Sequence, residues 1–415
     1  MPLGLPRTDP PRLTAVSFCV EHVRTLYPAL SDGFAWLDGA AGTQVPQSVI
    51  EAITRVYATG VGNVHGAFPA SGRADGIVAS ARGAVADLVG ADPAGVVLGP
   101  NMTTLTYRFA RTLADTWRPG DEVVVSRLDH DANVRPWVQA AERVGATVRW
   151  ADVDVATGEL PVAQYDYLIT ERTRLVAVTA ASNVIGTRPD VAVIAAKARR
   201  VGALSYVDGV HATPHLPTDI DSLGCDFYAT SAYKWSGPHL GAVVADPGLL
   251  ATLRPDKLAS SPNEVPDRFE TGTAPFADLA GLAAAVDHLA GLDPQAIGTR
   301  RERVLTSMTA VAAYEEKEGQ RMRAELAVMP HVTVWGTAAR RTATAYFTVE
   351  GHEPRAVAEH CARAKVNVWN GHSYAWELTG ALGIREHGSA VRAGLVHYNN
   401  AKDVDRLLTA VADLA

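Results

Sequence analysis

From residue 96 to residue 245, short apolar runs alternate with longer stretches whose apolar residues recur at helical spacing. Residues 96–98 read as a strand and 103–116 as a helix, and the pair repeats as a strand at 122–126 and a helix at 134–144. Strands follow at 147–153 and 175–180, then a helix at 190–200 with Asp190 as its cap. Three more apolar runs, 204–207, 227–230 and 242–245, complete the series. This alternation predicts an α/β unit with a mostly parallel sheet and helices on both faces. Such sheets bind ligands beyond the carboxyl ends of their strands.

The flanks read differently. Residues 18–26 form a short amphipathic segment, Gly39-Ala40-Ala41-Gly42 a turn with little side chain, and 46–57 a helix with Pro near its start. The stretch GVGNVHGAFPASGRADG is glycine-rich, but it sets no GxGxxG between a strand and a helix, so a dinucleotide site is not supported. Residues 73–89 are helical by pattern. After Ala277 the texture changes: helices are expected at 276–289, 296–328, 354–364, near 374–382 and from Lys402. Strands are expected at 332–335, 342–349, 366–369 and 391–397. This is an α+β layer. The expected division is an N-terminal arm at 1–30 lying against the small domain, a large domain at 31–292 and a small domain at 293–415.

The length of 415 residues accommodates that division. With 38 basic against 45 acidic residues and no basic block, nucleic acid is not an expected partner. No apolar run approaches the roughly 20 residues of a membrane span, and the proline-rich beginning lacks the apolar core of a signal peptide. The three cysteines, Cys19, Cys225 and Cys361, form neither a CxxC nor a disulfide framework, so a cytoplasmic setting is expected.

Two of the apolar runs end in chemistry. The run at 204–207 leads into Asp208, and the run at 227–230 leads through Ser231-Ala232-Tyr233 to Lys234. A carboxylate and an amine at neighbouring strand ends are what pyridoxal phosphate requires: the amine for a Schiff base, the acid to keep the pyridine nitrogen protonated. The bland alternative is a solvated Asp and Lys. His211, His215 and Asp219 raise a metal site, but Pro214 and Pro217 break the helix that the His-x3-His spacing needs, and no metal is expected. GPNMTTLTY opens the 103–116 helix, where N–H groups can hold a phosphate; Thr103 or Thr104 would otherwise be an ordinary cap.

Seven stretches then agree in order: LDGAAGTQVP from Leu37, RLDHDANVRPW, AASNVIGT, YVDGVHATPH, SAYKWSGPHLG, FETGTAPF and VRAGLVHYNNAKDVDRLL. On these the chain resembles the class V aminotransferase family in its cysteine desulfurase-like branch. The resemblance implies the type I fold of pyridoxal 5'-phosphate enzymes, with a mostly parallel seven-stranded-type sheet in a large domain and a smaller α+β C-terminal domain. It makes Lys234 the Schiff-base lysine, Asp208 the acid on the pyridine nitrogen, and His130 the ring stacked on the cofactor. Asn183 matches the residue bonded to the phenolic oxygen, with His211 near that oxygen or the imine. Thr103 and Ser231 match the phosphate side, with the Met102 N–H beside them; Tyr233 stands where relatives often carry histidine, its hydroxyl in reach of the phosphate. Thr273 matches a residue supplied by a neighbouring subunit, which implies a homodimer with shared sites. Arg392 matches the fork on a substrate α-carboxylate, and His65 a histidine at the site mouth; the substrate is then a free amino acid or a derivative.

The chain departs from the branch most sharply at the expected thiol. A desulfurase carries a mobile thiol before the final strand, and in VWNGHSYAWELTGALGI the matching position holds Tyr374. Cys361 lies in an expected helix and reads as core, while Cys225 reads as too close to the cofactor strands to be mobile. Trp369, Asn370, His372, Tyr374 and Trp376 read as an aromatic, hydrogen-bonding substrate wall, or else as a packed domain interface. The expected reaction is lyase-type β-elimination through a Cα carbanion. The alternatives are an aminotransferase or epimerase, a desulfurase using another thiol, and a non-catalytic cofactor-binding protein.

Overall fold

The structure, a computed structural model, describes residues 18–415; most of the stretch read as an N-terminal arm lies outside them. After a two-residue strand, β1 (Ala35–Trp36), come β2 (Val96–Gly99), β3 (Glu122–Ser126), β4 (Thr147–Ala151), β5 (Thr173–Thr179), β6 (Leu204–Asp208), β7 (Phe227–Ser231) and β8 (Gly241–Ala245). The last seven form one sheet in the order β2-β8-β7-β6-β5-β3-β4. Parallel ladders run from β4 through β3, β5 and β6 to β7, while β8 is antiparallel to both β7 and β2. An apolar run carries no direction, so the reversal at β8 was not legible from pattern.

Alternate strand residues feed two separate cores, as the period of two requires. Val124, Val176, Val207 and Val244 join one cluster; Val123, Val125, Ala177 and Val243 join the other. Both faces are covered, which explains the unbroken apolar runs. The Met102–Ala114 helix begins at Asn101, whose Oδ1 accepts the Thr104 N–H at 2.8 Å, so neither Thr103 nor Thr104 is its cap.

The C-terminal part holds β9 (Val332–Trp335), β10 (Thr344–Val349), β11 (Val366–Asn367), β12 (Trp369–Gly371) and β13 (Ala390–Gly394). Four of these make an antiparallel sheet ordered β12-β13-β10-β9, packed on its own apolar cluster. The strand expected at 366–369 is two: β11 pairs with β1, and β12 with β13. Two helices also start away from their expected positions. Pro69 opens the Pro69–Val89 helix four residues early, and a Thr299/Glu302 capping box starts the Arg300–Ala327 helix late. We keep Asp293, between the Phe276–Ala290 and Arg300–Ala327 helices, as the proposed start of a small domain. Among the described residues no helix is long and apolar enough to cross a membrane.

Candidate active site

The carboxyl ends of β5, β6 and β7 lie side by side, Thr179 opposite Asp208 and Asp208 opposite Ala229. Beyond them is a small cavity of about 50 Å³. It gathers Met102, Thr103, His130, Asn183, Asp208, His211, Tyr233 and Lys234 from separate stretches of sequence. Asp208 ends β6, and its Oδ1 accepts the Val210 N–H at 2.9 Å. No hydrogen bond within the described residues engages its Oδ2. Burial raises its pKa to about 6, with the Val210 N–H and the Lys234 charge acting against the rise.

Lys234 sits in the turn after β7. Its Nζ donates to Ala40 O at 2.6 Å and Ala41 O at 2.8 Å. The small side chains of the Gly39–Gly42 turn are thereby explained, because its bare backbone is what reaches the lysine. A Cβ at Gly39 would stand 2.5 Å from Val396 Cγ1, so the turn could not approach with a larger residue there. Burial, then the Arg392 charge, lowers the Lys234 amine to about 7 against the pull of Asp208 and Asp38. Asp38 escaped the sequence reading. It is half-buried, its buried Oδ1 has no partner, and desolvation lifts it to about 6 against the pull of the Arg392 and Lys234 charges. Its signal was only a lone Asp ahead of a small-residue turn.

His130 accepts the Ala132 N–H on Nδ1 at 3.0 Å, which leaves the ring proton on Nε2. Burial and the Lys234 charge lower its pKa to about 3, so the ring is flat and neutral at physiological pH. The Tyr374 ring stands 5.3 Å away. Asn183 donates from Nδ2 to Ser373 O at 2.8 Å, while its buried Oδ1 has no partner. Arg392, on β13, donates to Asn183 O at 3.0 Å, and burial lowers its pKa to about 10. Behind the cavity, Asp129 is buried against Ser126 and Asn133 and lifted by desolvation to about 7; next to His130 in an Asp-His-Asp run, it carries no local signal of that role.

On the phosphate side, Met102 N–H donates to Ser231 Oγ at 3.1 Å. Thr104 N–H goes to Asn101, so the Thr103 N–H is the unengaged donor of that first turn, and the Ser231 hydroxyl also meets the Tyr233 hydroxyl. The Tyr233 ring stacks on His239 at 4.9 Å, with Lys234 Nζ 5.5 Å from its centre. The lysine turn is held from behind. Thr43 N–H donates to Tyr233 O at 2.8 Å, and Ser236 N–H to Thr43 Oγ1 at 2.6 Å. The buried Tyr27 hydroxyl meets Ser236 Oγ at 2.7 Å, His288 Nε2 at 2.8 Å and His397 Nε2 at 2.6 Å.

The residues raised for a metal have other partners. His211 Nε2 bonds Thr342 Oγ1 at 3.0 Å, while His215 Nδ1 meets buried Glu315 Oε2 at 2.6 Å and Asp219 caps a short helix. Among the described residues no three such groups come together to hold a metal. His65 and Thr273 share a different, outer depression, with His65 3.4 Å from Asp75; neither lines the central cavity of its own chain. Asn370 lies on β12 opposite Val391. Tyr374 is 67% exposed, and Trp369 and Trp376 are also exposed, while the backbone of this stretch meets the large domain, Asp131 N–H donating to Tyr374 O at 2.8 Å. Ser373 and Tyr374 both carry left-handed φ, 47° and 60°, a strained corner that presents Tyr374 beside His130.

No cysteine lines the cavity. Cys361 is core, as expected. Cys225 precedes β7, at the end of that strand opposite Lys234, so it is remote rather than too close. Cys19 is exposed ahead of the Val20–Thr25 helix.

A doubly covered α/β sheet with a lysine and an acid at adjacent strand ends defines the class of protein. The model of the aminotransferase class-V family matches residues 35–407, and the chain belongs to that family. An uncharacterized protein of Mycobacterium tuberculosis is 36% identical over 402 residues, 96% of this chain and 100% of its own length. A cysteine desulfurase of Enterobacter sp. is 33% identical, covering 95% of this chain and 98% of the relative. An aminotransferase-like protein of Gibberella zeae is 31% identical, covering 96% and 99%. The crystal structure of the Escherichia coli cysteine desulfurase CsdA matches with a TM-score of 0.84 at 28% identity, covering 96% of this chain and 98% of that one.

The chain is accordingly a pyridoxal phosphate-dependent enzyme of the type I fold. Its residues fit that cofactor. Asn183 Oδ1 is buried and orphaned, Asp208 Oδ2 is unengaged, and the lysine amine is lowered to about 7 at the same cavity.

Proposed function

We propose that this enzyme removes the Cα proton of a free amino acid or derivative and expels a β-substituent, a lyase-type reaction that needs no protein thiol. Pyridoxal phosphate supplies the electron sink for the pair left at Cα. Lys234 holds the cofactor and, near neutrality as a free amine, takes the Cα proton on Nζ. Asp208 holds the ring nitrogen through its unengaged oxygen, and neutral His130 covers one ring face. Asn183 and His211 hold the phenolic edge. Thr103, Met102, Ser231 and Tyr233 hold the phosphate, joined by Thr273 across a homodimer. Arg392 forks onto the substrate carboxylate, whose two oxygens match its planar donors. Asn370, Tyr374 and, across the dimer, His65 border the entrance. The unpaired cysteines support a cytoplasmic setting.

One observation carries the choice of lyase chemistry: no thiol reaches the cavity, and Tyr374 stands beside His130 where a desulfurase would carry one. The test is a product assay across an amino-acid panel. Keto acid with ammonia is the expected result. Conversion of the cofactor to its amine form would make the enzyme an aminotransferase, and deuterium at Cα with inversion would make it an epimerase. Persulfide from cysteine, lost in Cys19→Ser, would make it a desulfurase with a displaced thiol.

A further inference from the structure

We infer that Arg188, Arg323, Arg340 and Arg341 form a second binding site, for a small multivalent oxyanion: a phosphate ester or a molecule with adjacent carboxylates. Their backbones interlock. Arg188 N–H donates to Arg340 O at 2.9 Å, and Thr187 bridges antiparallel to Arg341. Arg323 arrives from the Arg300–Ala327 helix and donates through Nη1 to Thr342 O at 2.9 Å. Four arginines are thus brought to one junction, between the loop after β5 and the segment entering β10, where Arg341 Nη1 donates to Gly336 O at 2.5 Å.

None of the four forms an ion pair, whereas Arg82 and Arg135 each meet two carboxylates. The acids that face the cluster are Glu316, towards Arg188 and Arg323, and Glu159, towards Arg341. Neither closes a pair, and Glu159 Oε1 is occupied by the Ala339 N–H at 3.0 Å. Like charge is felt within the cluster: after burial, Arg340 lowers the pKa of Arg188, and Arg341 that of Arg323.

Two observations point to a ligand beyond the charge itself. Arg323 is only 8% exposed, and its Nε is buried with no partner. Arg188 is half-buried, and its guanidinium makes no hydrogen bond within the described residues. Buried donors are normally satisfied, and an unpaired buried charge is costly. In a chain of net charge −7, an unpaired cluster of four positive groups is most simply completed by an external anion. Planar guanidinium forks match the oxygens of phosphate or carboxylate. The site is not the cofactor cavity, but it is adjacent: Thr342 lies between them, its carbonyl on Arg323 and its hydroxyl on His211.

The test is calorimetric titration of the pyridoxal phosphate-saturated enzyme in low-salt buffer, with inorganic pyrophosphate in one arm and citrate in the other. Saturable binding of one equivalent per chain is expected in at least one arm; which arm responds tells a phosphate ligand from a polycarboxylate. In the Arg188→Gln/Arg340→Gln double variant the affinity falls at least about tenfold. Arg340→Gln alone, at an exposed position, weakens it severalfold. Without anion the double variant melts no lower than the wild type, because neither side chain has a partner to lose. Absence of binding in both arms, equal affinity in the variants, or a lower melting point in anion-free buffer would overturn the site. The comparison with the variants stands whether or not the cofactor reading does.

Discussion

Lys234 illustrates how one side chain sets the chemistry. Its amine is lowered to about 7, chiefly by burial and by Arg392. The neutral amine is the nucleophile, and its fraction grows with pH until the pKa is passed. Capture of pyridoxal phosphate by the apo-enzyme is therefore expected to accelerate about tenfold per unit below pH 7 and to level off above it. Stopped-flow absorbance checks this; a rate still climbing towards the ordinary lysine pKa of about 10.4 would show that the amine is not perturbed. Tyr27 acts at the same scale from behind. A phenol has one hydrogen and two lone pairs, enough for its three contacts to Ser236, His288 and His397. Tyr27→Phe leaves those groups buried and short of a partner, for an expected loss of about 2–3 kcal/mol. That would appear as a lower denaturant midpoint at unchanged slope. Lys234 and Asp208 were legible because each ends an apolar run. Asp38 and Tyr27 were not, because their partners come from distant parts of the chain and no local pattern marks them.

Among the elements, β8 and the Met102–Ala114 helix depend on close approach. A Cβ at Gly241 would lie 2.3 Å from Asn101 C and 2.4 Å from Met102 N, backbone atoms that cannot rotate away. Gly241→Ala is expected to push the helix start off the strand and weaken pyridoxal phosphate binding at least about tenfold, read by spectroscopic titration. Unchanged affinity would mean that this helix end does not hold the phosphate. The run of βα units was readable from periodicity, since strands buried on both faces must be apolar throughout. The split at residues 366–371 was not: β11 and β12 pair with different sheets, and pairing partners are invisible in a local pattern.

For the whole molecule, the placement of Thr273 and His65 matters most. Both lie in an outer depression, outside the central cavity. If Thr273 serves a neighbour's site, Thr273→Val and Lys234→Ala are each inactive or weak as homodimers. Mixed and reassociated, they place both lesions in one site and leave the other intact. Activity is then expected to recover in the mixture, and a mixture no more active than its components would argue against shared sites. Size-exclusion chromatography with light scattering is expected to show a dimer.

The central claim is that this cavity loads pyridoxal phosphate on Lys234 and opens the Cα–H bond of an amino acid. It is tested most directly by proton NMR of an amino-acid panel incubated with the cofactor-loaded enzyme in deuterated buffer. At least one amino acid is expected to lose its Cα proton signal with the wild type and to keep it with Lys234→Ala. If every amino acid keeps its Cα proton, or if the Lys234→Ala variant removes it equally fast, the claim is wrong.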